Sequence, residues 1–224
     1  MPGNVRRTTR RPGRPGPGEP ALTRDIILTS ALALVDEEGF EALTMRRLAT
    51  RLHVDPMSIY HHVPSKAALV SGLVQRISGE MAEPVAHGTW RQRVRAWARA
   101  YRDLTLGHPN LVLQIVADAA AASEAAILIS EPLYAALSDA GLRPRAVVEA
   151  AGTLVDFVHG YALGLAGAQG PRTGADPLGE RLAGVDPDQV PALRRVLAAL
   201  PDEPATRDAF EAGLDLIIRG LAGG

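Results

Sequence analysis

Residues 44 to 62 constrain this chain more than any other stretch. Thr44 and Asp55 are residue types whose side-chain oxygens accept hydrogen bonds from the free N–H groups of a helix's first turn, so each marks a helix start. Behind Thr44 the apolar residues Met45, Leu48, Ala49 and Leu52 fall at helical spacing, and Asp55 follows almost at once. Pro56 takes a first helical position, where its missing N–H costs nothing, and Pro64 stops the segment. The spacing predicts two short helices joined by a tight turn, the second over 55–61. In a helix-turn-helix of this shape the second helix lies in a DNA major groove while the first crosses the backbone. The plain alternative is a small helical core whose Arg46, Arg47 and Arg51 form a solvated face.

Helical spacing continues on both sides. Leu22, Ile26, Ile27, Ala31, Leu34 and Val35 share a face, Thr23 can cap it and Gly39 ends it. Ser65 caps a longer amphipathic helix carrying Leu69, Leu73, Val74, Ile77 and Met81, which is expected to run to the residue before Pro84. Further helices are expected near 90–106, 109–120, 123–140, 145–169, 187–200 and 205–221, with no alternating strand pattern anywhere, so the fold class is all-α. Residues 1 to 20 interleave Pro and Gly with Arg and are expected to form a disordered arm; the breaker-rich run 170–187 is expected to be a long mobile loop.

Composition narrows the function classes. There is no cysteine, which removes disulfides, thiolate metal sites and cysteine nucleophiles. No phosphate loop, nucleophile elbow or two-histidine zinc spacing is present, so an enzyme is not expected and no cofactor or metal is assigned. No apolar stretch has the length of a signal peptide or a membrane span, and the expected location is the cytoplasm. The formal net charge is −1, but Met1 to Val70 carries ten Lys/Arg against seven Asp/Glu and the remainder fourteen against eighteen, so the basic excess is N-terminal. A helical protein–protein adaptor would share most of these features; binding to the chain's own promoter DNA separates the two.

The segments "ALALVDEEGFEALT" and "LTMRRLATRLHVDPMSIYHHVPSKAALV" resemble the tetracycline-repressor (TetR) family closely, and "GLDLIIRGL" at Gly213 to Leu221 resembles the C-terminal helix of its tetracycline-repressor subgroup. The resemblance implies a disordered arm over 1–21, a helix-turn-helix DNA-binding domain over 22–68 and a helical ligand-binding and dimerisation domain over 69–224. It implies a homodimer that binds a palindromic operator in double-stranded DNA and is released by a small-molecule inducer. The family's DNA contacts fall here on Thr44, Met45, Arg46, Pro56, Met57, Ser58, Tyr60, His62 and Lys66. Arg46 can read a guanine edge through paired hydrogen bonds, Met45 and Met57 can offer only apolar contact, and the hydroxyl, imidazole and ammonium groups suit phosphates. His53 replaces the usual turn glycine, and a left-handed backbone there would cost about 1–2 kcal/mol. The arm's arginines suit either a minor groove or a solubilising role.

Positions that line the subgroup's drug cavity fall near Ala82, Trp97, Tyr101, Ile115, Leu133, Asp156 and Phe157. The histidines that handle drug and magnesium there correspond to positions near Ala82 and Ile115, neither of which can ligate a metal. Tetracycline–magnesium is therefore a poor match, and a more apolar or aromatic effector touching Trp97, Tyr101 and Phe157 is expected, with plain core packing as the alternative for each. His108 and His159 suit either a polar ligand group or a structural role. The helices near 145–169 and 205–221, with Gly152, Gly160 and Gly164 along the first, are expected to pair with their copies in a dimer.

Overall fold

The computed structural model describes residues 21–81, 87–111, 123–166, 182, 184–200 and 208–222. Among them every regular element is helical: α1 (Arg24–Glu38), α2 (Met45–Arg51), α3 (Pro56–His62), α4 (Lys66–Ser78), α5 (Trp90–Gly107), α6 (Ser123–Ser138), α7 (Pro144–Ala166), α8 (Pro191–Ala198) and α9 (Ala209–Ala222), with 3-10 turns at Phe40–Ala42 and Pro187–Gln189. The all-α expectation holds. The N-terminal arm, most of the 170–187 run, Ala82, Ile115 and most of the helix expected over 109–120 lie outside the described residues.

Two helix boundaries differ from the sequence reading for local reasons. α4 ends at Ser78, because Gly79 closes the last turn onto the Gln75 and Arg76 carbonyls and the next N–H groups bond three residues back. The segment expected over 187–200 breaks at Pro191, which lacks the N–H to continue the preceding turn; Val190 leaves helical geometry and α8 restarts after it.

The chain divides into two compact units, Met1–Glu83 with Asp103–Glu131, and Pro84–Arg102 with Pro132–Gly224. In the first, α1 buries Ile27, Leu28, Ala31, Leu34 and Val35, α2 buries Leu48 and Ala49, α3 buries Ile59, and α4 buries Leu69, Val70, Leu73, Val74 and Ile77. α1 and α4 approach closely at Gly72, where a Cβ would come within 2.8 Å of Leu28 Cδ2 and 2.9 Å of Arg24 Nη2. The N-caps of α1 to α4 are short polar side chains: Thr23 accepts from the Ile26 N–H, Thr44 from Arg47, Asp55 from Met57 and Ser65 from Ala68. Asp55→Ala is expected to cost about 1 kcal/mol by freeing the first turn of α3, and thermal denaturation should show a Tm drop of about 2–4 °C.

The second unit is built around Trp97 of α5, Leu133 and Leu137 of α6, Leu154 and Val158 of α7, and Phe210, Leu214 and Ile218 of α9, all essentially without solvent access. Gly213 lets α9 lie against α7, since a Cβ there would fall 2.7 Å from Phe157 Cε2. Charged pairs line the α5–α9 seam: Arg95 with Asp215, Arg99 with Glu211 at 2.6 and 2.9 Å, and Arg102 with Asp208 at 3.5 Å. Asp215 is only 9% exposed, so its charge is tolerated there because Arg95 meets it.

Candidate nucleic-acid interface and ligand site

α2 and α3 are joined by a turn that the chain takes through His53, at φ 54°, the one non-glycine residue with positive φ among those described. His53 thus carries the left-handed geometry that a glycine would adopt freely. The turn is fixed by Val54, whose N–H bonds back to the Ala49 carbonyl at 3.0 Å.

The exposed side of this unit separates the three arginines of α2. Arg47 pairs with Glu38, and Arg51 pairs with Glu37 through two bonds of 2.8 Å. The hydrogen bonds from Arg51 hold the Glu37 carboxyl below its ordinary range and raise the Arg51 guanidinium. Arg46 is exposed and its side chain has no hydrogen bond or ion pair among the described residues. It is therefore the α2 cation free to meet a base or phosphate without giving up an existing partner.

α3 puts Ile59 into the core and leaves Met57 61% and Tyr60 40% exposed. His62 is exposed, while Pro56 and Ser58 are half-buried. His61, which the sequence reading did not single out, is also exposed. It lies one helical turn from Met57 and on the same side, a position the i, i+4 spacing marks. Thr44 spends its hydroxyl oxygen as an acceptor for the Arg47 N–H but keeps its own O–H for another acceptor. Lys66 opens α4 with its ammonium 4.8 Å from the centre of the Phe40 ring. Met45 is the correction: its side chain is 9% exposed and belongs to the core, so it cannot offer apolar contact to a base. The helical spacing of Met45 with Leu48, Ala49 and Leu52 already placed it inward, and packing decides the matter.

In the second unit Trp97 stacks on Tyr101 with ring centres 4.9 Å apart, and the Tyr101 hydroxyl lies 2.6 Å from His159 Nε2. Phe157 stacks on Phe210 at 5.2 Å, Tyr161 meets the same ring edge-on at 5.1 Å, and the Arg102 guanidinium lies 4.7 Å from its centre. Leu133 is fully buried and Asp156 is exposed, so those two do not share one environment. Among the described residues no group of His, Asp and Glu has a metal-binding arrangement. His159, Tyr161 and Phe210 join the aromatic positions read from sequence. Aromatic residues at i, i+2 and i+4 along α7, with Phe210 in the C-terminal helix, were the available signal.

Burial pushes the Tyr101 hydroxyl up to about 12 and lowers His159 below the ordinary imidazole range, with the charge of Asp156 acting in the opposite sense. The unfolded chain therefore holds the His159 proton more tightly than the folded one. The stability contributed is present above about pH 6.5 and is lost as pH falls through the lower, folded-state value. Thermal melts are expected to show Tm falling with acidification below about pH 6.5, and His159→Gln should flatten that slope. An unchanged slope in the variant would assign the loss to other groups.

Residues 27–73 match the family model described as bacterial regulatory proteins, tetR family, and residues 84–223 match the tetracyclin repressor-like C-terminal domain. An HTH-type transcriptional regulator of Saccharopolyspora erythraea is 34% identical, over 77% of this chain and 72% of the relative. The HTH-type transcriptional repressor DrrR1 of Streptomyces coeruleorubidus is 33% identical, over 86% of this chain and 70% of its own length. Among solved structures, the Streptomyces coelicolor TetR family protein ActR in complex with actinorhodin superposes with a TM-score of 0.71 at 28% identity, covering 92% of this chain and all of the other.

Proposed function

The chain belongs to the tetR family of bacterial regulatory proteins, a family of helix-turn-helix transcriptional regulators rather than enzymes, and on that premise we propose that it is a ligand-released repressor acting on a palindromic operator as a homodimer in the cytoplasm. Residues 22–68 are the DNA-binding part and 69–224 the ligand-binding and dimerisation part. One observation carries the reading: on α2 only Arg46 is exposed with no side-chain partner among the described residues, beside a recognition helix that exposes Met57, Tyr60 and His62. Arg46 reads a base edge, Met57 supplies apolar contact, and Thr44, Ser58, Tyr60, His62 and Lys66 hold phosphates, with Pro56 fixing the start of α3.

Exposed Val148 and Leu163 on α7 and Leu216 on α9, at 58%, 44% and 65%, support a dimer formed by these two helices with their copies. The open flanks of Gly152 and Gly160, with nothing within 4 Å of a Cβ built there, fit a close helix crossing. For the effector, the Trp97–Tyr101 stack and the Phe157 group favour an aromatic molecule over tetracycline–magnesium, and ActR, solved with actinorhodin, is a neighbour of this fold. The test is native mass spectrometry of the purified chain with duplexes it selects from genomic fragments. Two protomers on a duplex with dyad symmetry are expected; a single protomer on a site without a dyad would refute the dimeric reading. Titration with actinorhodin as probe, followed by Trp97 emission with Trp97→Phe as control, tests the aromatic site.

A further inference from the structure

The C-terminal turn of α1 carries Asp36, Glu37 and Glu38 in succession and no cation. These charges repel one another and oppose the negative end of the helix dipole, so α1 ends on an arrangement its own chemistry disfavours. Each carboxylate is matched from outside the helix. Glu37 and Glu38 hold Arg51 and Arg47 of α2. Asp36 faces His108, the first residue after α5, whose Nδ1 lies 3.1 Å from Asp36 Oδ2; the other ring nitrogen, Nε2, lies 3.0 Å from Glu80 Oε2, just past the end of α4. Asn110 Nδ2 donates to the Val35 carbonyl at 3.1 Å, adding a second donor to an oxygen that already accepts from the Gly39 N–H at 2.9 Å. The His108 side chain is 14% exposed, so the ends of α1, α4 and α5 meet on a largely enclosed ring.

We propose that the Asp36–Glu38 turn is a coupling element and that His108 is a positioning residue for DNA binding. His108 touches no DNA. It holds Asp36 through Nδ1 and Glu80 through Nε2, and so steadies the turn whose other two carboxylates set the direction of Arg47 and Arg51, and with them the pose of α2. Without it Asp36 loses its anchor to the end of α5, the turn loosens, and Arg46 and the start of α3 lose their fixed placement. The inference rests on the reading of α2 and α3 as the DNA-binding face.

The test measures operator Kd with the duplex that the wild-type full-length chain selects from genomic fragments. The variants are His108→Gln, His108→Lys, Arg51→Gln and the double substitution His108→Gln with Arg51→Gln, each checked for folding by circular dichroism and Tm. His108→Gln is expected to weaken binding about fivefold to tenfold. His108→Lys returns a donor to Asp36 and Glu80 and should recover most of that loss, which a purely packing role would not allow. Because both sites act through one turn, the double variant should lose less than the product of the single losses. Asp36→Ala removes the acceptor that His108 holds, so it should reproduce the His108→Gln loss even if that variant folds poorly. Kd values for His108→Gln and Asp36→Ala indistinguishable from wild type would overturn the proposal, as would losses that multiply or a His108→Lys variant that recovers nothing. A wild-type chain that selects no duplex would instead remove the DNA-binding reading beneath it.

Discussion

Arg46→Ala is expected to weaken operator binding by about tenfold to a hundredfold, the loss that follows when a paired hydrogen bond to a base edge is removed. The three arginines of α2 differ in the partners they already hold. Arg47 and Arg51 are tied to Glu38 and Glu37, so any DNA contact they made would first cost them those partners. Arg46 carries no such cost. Arg51→Ala should therefore act only indirectly, lowering affinity several-fold for every duplex alike. Its effect on folding should also be small, since exposed ion pairs contribute little to stability. Gel-shift or anisotropy titrations at one stated salt concentration check both, because phosphate contacts make every such affinity salt-dependent. Equal losses for Arg46→Ala and Arg51→Ala would mean that the pairing seen here does not survive on DNA.

Phe210→Ala is expected to be the most destabilising single substitution in the second unit, at about 3–5 kcal/mol. The ring is fully buried, stacked on Phe157, met edge-on by Tyr161 and covered by the Arg102 guanidinium. Truncation leaves a cavity that three neighbours cannot fill without moving, and Phe157 is itself pressed against α9 at Gly213. Against a total stability of about 5–15 kcal/mol such a loss is a large fraction, and the corresponding Tm drop is about 10 °C or more. Urea denaturation measures it directly. A loss below about 1 kcal/mol would show that this cluster has room to relax, as a ligand cavity would.

What was legible in the sequence follows the range of the interactions. Thr23, Thr44, Asp55 and Ser65 could be placed as caps because each acts on a backbone group two or three residues away. The left-handed turn at His53 was legible only through the resemblance, which puts a glycine at that position. Met45 was assigned to DNA by family position although its own spacing put it on the apolar face; burial at the start of α2 shows the spacing to be the better guide. The pairing of Arg47 and Arg51 was not readable, since it depends on how α2 lies against the end of α1. Tyr101 with His159 and Arg99 with Glu211 are further from legibility, joining residues 58 and 112 positions apart. The break at Pro191 in the expected 187–200 helix is masked in the sequence by an apolar pattern that continues across it.

In the proposed function α2 and α3 form a base-reading face with Arg46 as its direct reader. The most direct test is to enrich duplexes from one random pool with the wild-type chain and, in parallel, with Arg46→Ala, and to sequence both outputs. The wild type should enrich a palindrome with a guanine favoured at one position of each half-site. Arg46→Ala should keep the palindrome and lose preference at that position alone. Identical base preferences at every position, with affinity lowered evenly, would contradict the claim and reduce Arg46 to a phosphate contact.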